Sequence, residues 1–370
     1  MALTLHGTVS DNTAVLDRRS AKPLIINGDM QVAQRATSVT GLGDGDEGYV
    51  TVDRFRHSVG AGAGRFTSKQ TDITDLTGFA HALELDCTTA DTSIAAGEFL
   101  TIDYRFEGQD VQLFEKGFSS AKAYTFSFYA KADAAVTYGI EFRDHDNGRH
   151  CTSTFTTATS WTRHVINIPA DTTGIFNNDN GESLRIRFWL HAGSTYNSGT
   201  APTTWASQSN ANSTSSSNGS FFASTDRSLF LTGVQLEVGE FDANSIAPFQ
   251  HESFGDNLAR CKRYYQQSYT HGTSAGTVTN DGAYMLYLGA TGNTFRYNLN
   301  FETAMRATPT KVFYVPSTGT SGKAGYEGAG DVNAFTINNT FNTNKHALLY
   351  QTSVPITGHP YWHWTASAEL

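Results

Sequence analysis

Apolar and polar residues alternate with period two along much of this 370-residue chain. That is the pattern of strands whose two faces meet different surroundings. In Tyr124–Asp133 (YTFSFYAKAD), Tyr124, Phe126, Phe128 and Ala130 fall on one side, and Thr125, Ser127 and Tyr129 on the other. In Leu184–Leu190 (LRIRFWL), Leu184, Ile186, Phe188 and Leu190 point inward, and Arg185, Arg187 and Trp189 outward. In Leu229–Val238 the mostly apolar face is Phe230, Thr232, Val234, Leu236 and Val238, opposite Leu229, Leu231, Gly233, Gln235 and Glu237. The same reasoning predicts strands at Leu24–Ile26, Val52–His57, Gly64–Ser68, Ala82–Asp86, Phe99–Arg105, Ala123–Ala130, Thr137–Arg143 and Thr162–Ile168. So many short, evenly spaced strands predict an all-β fold, with a jelly-roll-like β-sandwich over residues 23–250.

Helical spacing appears once. Ser253 or Asp256 caps a short helix over Asn257–Gln267, carrying Leu258, Cys261, Tyr264 and Tyr265. It links the sandwich, across residues 251–268, to a second, smaller β-domain at 269–370. There, AYMLYLGA, NTFRYNLNF, KVFYVP, NAFTI and HALLYQTS alternate with Gly and Asn turns, and Gly319–Gly330 reads as a loop. In the closing strand, Trp362 and Trp364 share one face, with Tyr361 and His363 on the other. Residues 1–22 read as an arm with a turn at Asp11-Asn12, too small to fold alone. Residues 193–226 are rich in Ser, Thr, Asn and Gly and cannot bury enough apolar area to form a core, so they read as an exposed excursion.

Composition agrees with many turns and few helices: 34 Gly, only 8 Pro, 12% aromatic and 16% charged residues. A net charge of −9 speaks against a general nucleic-acid binder. No apolar run approaches the roughly 18 residues needed to span a membrane, and the first twenty residues lack the basic and apolar regions of a secretory signal. Cys87, Cys151 and Cys261 are too few and too scattered for a disulfide framework or a metal site, and read as buried thiols.

Several segments carry a resemblance. FLTGVQLEVGEF (230–241) followed by APFQHESFGDNLARCKRYYQ (247–266) resembles a junction in tail-fibre-type proteins of tailed bacteriophages, marine ones especially. Leu24–Val39 (LIINGDMQVAQRATSV), Thr51–Phe55 (TVDRF), Ala304–Tyr314 (AMRATPTKVFY) and the closing HWTASAEL extend it over most of the chain. The resemblance implies a virion structural protein made in the host cytoplasm. It further implies a homotrimer, with the N-terminal arm docked on phage tail proteins and the β-domains displayed outward. The helix residues Leu258, Cys261, Tyr264 and Tyr265 are then candidates for the trimer interface.

Sugars offer CH faces that stack on aromatic rings and hydroxyls that pair with amides. Tyr196 and Trp205 in the polar loop, and Tyr361, Trp362 and Trp364 near the end, are the candidate platforms for a host surface glycan or lipopolysaccharide. No catalytic residue is assigned. Glu141, Asp144, Glu182, Glu237 and Glu240 could each belong to a glycosidase pair, but nothing singles out two of them. Gly272–Gly276 fits G-x-S-x-G without the strand-to-helix turn of a hydrolase elbow. Asp44, Asp46 and Glu47, or Asp144, Asp146 and Asn147, could bind a structural Ca²⁺, and both groups also read as turns. No other cofactor is expected. The sequence therefore predicts a non-enzymatic adhesive protein, with a glycan-degrading tailspike and a purely architectural decoration protein as alternatives.

Overall fold

The computed structural model describes residues 22–286, 295–326, 330–333, 336–337, 342–351 and 359–370. The expected arm, apart from Lys22, lies outside the described residues, as does the second half of the Ala283–Ala290 run.

Twelve strands build the sandwich: β1 (Ser38–Leu42), β2 (Arg56–Gly60), β3 (Arg65–Asp72), β4 (His81–Thr89), β5 (Phe99–Glu107), β6 (Tyr124–Ala132), β7 (Thr137–Asp144), β8 (Arg149–Thr156), β9 (Thr162–Ile168), β10 (Glu182–Ala192), β11 (Ala206–Ser207) and β12 (Ser228–Val238). They form two six-stranded antiparallel sheets, ordered β1-β3-β4-β12-β6-β9 and β11-β8-β7-β10-β5-β2. Only the hairpins β3–β4 and β7–β8 keep consecutive strands paired within one sheet. Elsewhere the chain crosses repeatedly between the layers, giving a jelly-roll-like sandwich. Phe126, Phe128, Phe142, Phe155, Phe188 and Ile186 fill the space between the sheets, with Phe128 edge-on to Phe155 and Phe188, each at 5.1 Å.

Strand β12 departs from simple alternation. Leu229 and Leu231 face the core before Gly233, and Val234, Leu236 and Val238 face it afterwards. The pairing with β6 slips between Thr232 and Gln235, and Gly233 has φ +60°. One extra residue reverses the phase of the pleat. The expected inward Phe230 is therefore half-exposed, packed edge-on beside Trp161.

The Ser/Thr/Asn-rich stretch is also corrected. It has no core of its own, yet it is folded onto the sandwich: Phe221 and Phe222 enter the main core, and Ser213 and Thr214 are buried. Tyr196 packs 5.1 Å from Trp189, which explains why that outward-facing tryptophan is buried. Leu24–Ile26 is not a strand. Instead, the Ile26 amide donates to the Tyr104 hydroxyl at 2.7 Å, and Ile26 joins a small core with Val32, Cys261 and Tyr264.

The helix, α1 (Phe254–Cys261), starts and stops earlier than expected. Ser253 caps it, its hydroxyl accepting from the Asp256 amide. Tyr264 lies beyond the helix and Tyr265 opens a strand, so the apparent helical spacing of these tyrosines reflects a turn leading into β13.

The second domain contains β13 (Tyr265–Gln267), β14 (Tyr284–Met285), β15 (Phe295–Asn300), β16 (Thr310–Tyr314), β17 (Lys323–Tyr326), β18 (Gly330–Asn333), β19 (Thr336–Ile337), β20 (His346–Gln351) and β21 (Pro360–Ser367). Part of the glycine-rich loop is thus a strand. β21 is central: β13 and β14 pair along one edge, and β16 and β17 along the other.

A buried polar junction joins the domains. Arg54 is 1% exposed. Its Nη1 donates to Glu369 at 2.5 Å, its Nη2 donates to the Arg105 carbonyl at 2.8 Å, and its guanidinium lies 3.4 Å from the Tyr264 ring centre. Arg35 bonds the other Glu369 oxygen at 2.9 Å and stacks 3.7 Å from Tyr265. Asp53 accepts from both the backbone and side chain of Gln34. Glu107, fully buried, accepts two bonds from Arg263, at 2.7 and 2.6 Å, and one from the Tyr264 hydroxyl at 2.6 Å.

Two outcomes follow from these packings. Gly233→Ala would place a methyl 2.7 Å from the Tyr129 ring and 2.8 Å from Phe79 at positive φ, so it should cost about 2–3 kcal/mol in urea unfolding. An unchanged midpoint would show that the bulge is dispensable. Glu107→Ala strands a guanidinium and a phenol, and should cost about 3 kcal/mol. Glu107→Gln keeps an acceptor for Tyr264 and should cost less; equal losses for the two variants would contradict this account.

Candidate functional site

Of the five proposed aromatic platforms, Tyr361 stands at an open cleft and Trp364 only touches the floor of another. Trp362 and Trp364 are 0% and 3% exposed, inside the second domain's core. Trp362 packs 5.4 Å from Tyr297, and Trp364 6.0 Å from Phe301. Because β21 is paired on both edges and covered, Trp362 offers no face to a ligand, and Trp364 shows only a sliver of its ring at the cleft between Tyr269, Tyr284 and Glu302.

Trp205 pins its loop. Its indole N–H donates to the Pro169 carbonyl at 2.8 Å, and its ring covers the Lys116 ammonium at 5.0 Å. That ammonium is itself held by Asp144 at 2.5 Å and Asp171 at 3.0 Å. Tyr196 is half-buried against Trp189 and Phe99.

The proposed trimer residues are corrected in the same way. Cys261, Tyr264 and Tyr265 are buried within the chain by Ile26, Val32, Arg35 and Arg54, and only Leu258 keeps partial exposure.

Tyr361 borders an open cleft of about 600 Å³, lined by Val278, Thr279, Asn280, Ala283, Met285, Pro316 and Ser317 as well. β21 sets Tyr361 directly opposite Met285 on β14 and Gly325 on β17. A Cβ at Gly325 would fall 2.7 Å from the tyrosine ring, so the missing side chain lets the ring lie against the strand. Val278 and Met285 are 62% and 59% exposed, two of the few large apolar side chains displayed to solvent.

The wall from Val278 to Asn280 lies between Gly276 and Gly282, both at positive φ, and is held at several points. The Gly276 amide donates to the Tyr269 hydroxyl at 3.0 Å, and the Thr279 amide donates to the Pro316 carbonyl at 3.1 Å. His363 fixes the far side of Thr279. Since a carbonyl only accepts, Nε2 carries the proton and donates to the Thr279 oxygen at 2.9 Å. Nδ1 then accepts from the Ser268 hydroxyl at 2.9 Å, and Tyr269 stacks on the ring at 3.8 Å. Burial lowers the His363 pKa below its ordinary value, against a smaller opposing effect of the Thr279 bond.

The cleft combines an apolar patch of Tyr361, Met285 and Val278 with a rim of amide and hydroxyl groups from Asn280, Thr279 and Ser317. The Tyr361 hydroxyl already donates to Ser317 Oγ at 2.9 Å. This arrangement suits a flat ligand with one apolar face and a polar edge. Sequence reasoning singled out Tyr361 among these lining residues and not the rest, because apart from Met285 on β14 the walls come from turns. One readable sign was Met285, which points opposite Tyr284 and Leu286 in an alternating run.

The other motifs resolve into structural roles. Ser274 lies in a turn between Gly272 and Gly276, both at positive φ, with no helix after it. Asp44 accepts from the Ala61 amide, Asp46 from the Gly43 amide, and Glu47 pairs with Arg56. Asp144 is committed to Lys116 and Asn147, and Asp146 to Asn177. Among the described residues, no group of three His, Cys, Asp or Glu side chains is placed to hold a metal. The three cysteines are free and buried.

No protein-family model and no curated protein matches the chain. Solved structures align with it weakly. A family 4 carbohydrate-binding module aligns with TM-score 0.28 and 11% identity, over 57% of this chain and 97% of its own. The enzymatically active domain of tailspike protein 4 from bacteriophage CBA120 aligns with TM-score 0.30 and 9% identity, over 58% and 21%. A family 11 carbohydrate-binding module from Clostridium thermocellum aligns with TM-score 0.27 and 12% identity, over 56% and 98%.

A neutral His363 holds the cleft wall, so acid should loosen it. With the folded pKa below the unfolded value, this stabilisation is full above about 6.5 and is lost as pH falls through the folded pKa. Melting curves across pH should therefore show a steeper acid loss for the wild type than for His363→Gln; parallel curves would refute it.

Proposed function

We propose that this chain is a non-enzymatic adhesive protein of a tail-fibre-type virion appendage, binding a host surface glycan at the Tyr361 cleft. The observation that carries this reading is the cleft itself. An aromatic ring with two exposed apolar neighbours and an amide–hydroxyl rim complements the CH face and hydroxyls of a pyranose. The lining side chains are apolar, amide or hydroxyl in character, which supports binding over turnover. The phage side of the reading rests on the quoted segments, which contribute the junction residues Gln34, Arg35, Asp53, Arg54, Arg263, Tyr264 and Glu369. A homotrimer belongs to the same proposal, with its interface outside the buried helix positions.

The test is binding of the purified protein to host cells and to their isolated polysaccharide or lipopolysaccharide. Tyr361→Ala should weaken binding at least about tenfold, the loss of roughly 1.4 kcal/mol, without changing the melting temperature. Equal binding by the variant would refute the site. Depolymerisation of the polysaccharide by pure protein would favour a tailspike enzyme. Failure to bind cells or to compete with infection would favour a decoration protein.

A further inference from the structure

The outward face of the second sandwich sheet is charged across its middle. Adjacent strands place Arg143 (β7), Arg185 (β10) and Arg105 (β5) side by side, and the next row runs Glu141, Arg187, Asp103, Arg56. The carboxylates are already committed. Asp103 takes two bonds from Arg187, at 2.8 and 2.9 Å, and Glu182 takes two from Arg185, at 2.6 and 2.9 Å. Glu141 accepts from His150 at 2.8 Å and from Trp189 at 3.3 Å, and Glu47 pairs with Arg56 at 2.8 Å. Arg105 donates to the Leu370 main-chain oxygen at 2.6 Å.

Arg143 is left over. Among the described residues it has neither a hydrogen bond nor a carboxylate within 4.0 Å, and its Nε is buried without an acceptor. Directly across from it on β8, fully buried His150 has its Nε2 unpartnered as well. The face thus carries five arginines against four carboxylates in a chain of net charge −9. Burial lowers the Arg143 pKa, and Arg185 and Arg187 add to this against the opposing attraction of Glu141 and, more weakly, Glu182.

Beside this row lies a cleft of about 410 Å³ lined by Thr152, Ser153, Thr154, Thr200, Thr203 and Ser215 among others. Thr152 is two residues along β8 from His150, so it is a diagonal neighbour of Arg143, about 7 Å away. A half-buried guanidinium with no carboxylate in contact leaves its fork unfilled, and an oxyanion there supplies the missing charge-assisted bonds. Hydroxyl walls next to it pair with a polyol.

We propose that this face is a second, separate binding site, for an acidic saccharide whose carboxylate or sulfate is held by Arg143 and whose hydroxyls enter the Thr152–Ser215 cleft. It is independent of the Tyr361 reading, being on the other domain and selecting charge.

The full chain can be run in affinity electrophoresis against alginate (carboxylate), carrageenan (sulfate) and neutral dextran, at low and at high salt. The wild type should be retarded at low salt by alginate or carrageenan, whichever carries the matching oxyanion, and not by dextran. Arg143→Ala should weaken retardation at least about tenfold, Arg143→Lys should restore part of it, and neither variant should melt below the wild type. Tyr361→Ala should be retarded normally. The proposal is overturned if neither acidic gel retards the wild type, if Arg143→Ala runs as the wild type does, or if Tyr361→Ala abolishes the effect. A large fall in melting temperature in both Arg143→Ala and Arg143→Gln would also overturn it, by assigning the arginine to the fold.

Discussion

A guanidinium removed from water must be met by charge, hydrogen bonds or a ring face, and Arg54 is met by all three. Glu369 supplies the charge, the Arg105 carbonyl a bond, and Tyr264 the ring. These partners come from the second sandwich sheet, the turn after α1 and the segment following β21. Arg54 sits at φ +75°, a conformation that non-glycine residues rarely hold. The surrounding bonds fix it there: Asp53 is tied to Gln34, and Asn27 bonds the carbonyls of Val32 and Asp53. Arg306, from the Ala304–Tyr314 segment, closes the group by donating to the Ala368, Glu369 and Asn180 carbonyls. The separated segments that carry the resemblance therefore contribute to one buried junction, and their polar residues serve the joining of two domains.

This explains why the strands were legible and the junction was not. A strand with one apolar face writes it at every second position, and β6, β9 and β10 lie within two residues of the alternation that predicts them, although in β6 the polar Thr125 and Ser127 are buried as well. β8 (RHCTSTFT) was missed because hydroxyl residues face both the core side and a polar cleft, so little contrast remains. In β12 the alternation is real but changes phase at Gly233, and a bulge leaves no mark in the pattern beyond the glycine itself. The junction consists of Asn, Gln, Asp, Arg and Glu, which ordinarily favour the surface. Only their three-dimensional pairing makes their burial tolerable.

The aromatic residues show a second limit. Tyr361, Trp362 and Trp364 occupy one strand, and sequence offers the same argument for each as a ligand platform. Their fates depend on neighbours far along the chain. Tyr284, Tyr297 and Phe301 cover the tryptophans, whereas Gly325 and the turns at Val278–Ala283 and Pro316–Ser317 leave Tyr361 beside open space. Trp205 and Tyr196 were also ambiguous. In a Ser/Thr/Asn loop an aromatic ring is the natural anchor, because it contributes most of the apolar area the loop can bury.

The two clefts differ in chemistry because their supports differ. The Tyr361 cleft sits at the rim of the smaller domain, where turns held by His363 and Tyr269 expose apolar groups without collapsing onto them. The arginine face lies on the flat middle of a sheet, where cross-strand register brings like charges together unless carboxylates alternate with them. Alternation succeeds in the row of Glu141, Arg187, Asp103 and Arg56 and fails in the row of Arg143, Arg185 and Arg105, where Glu182 serves two arginines and leaves the third.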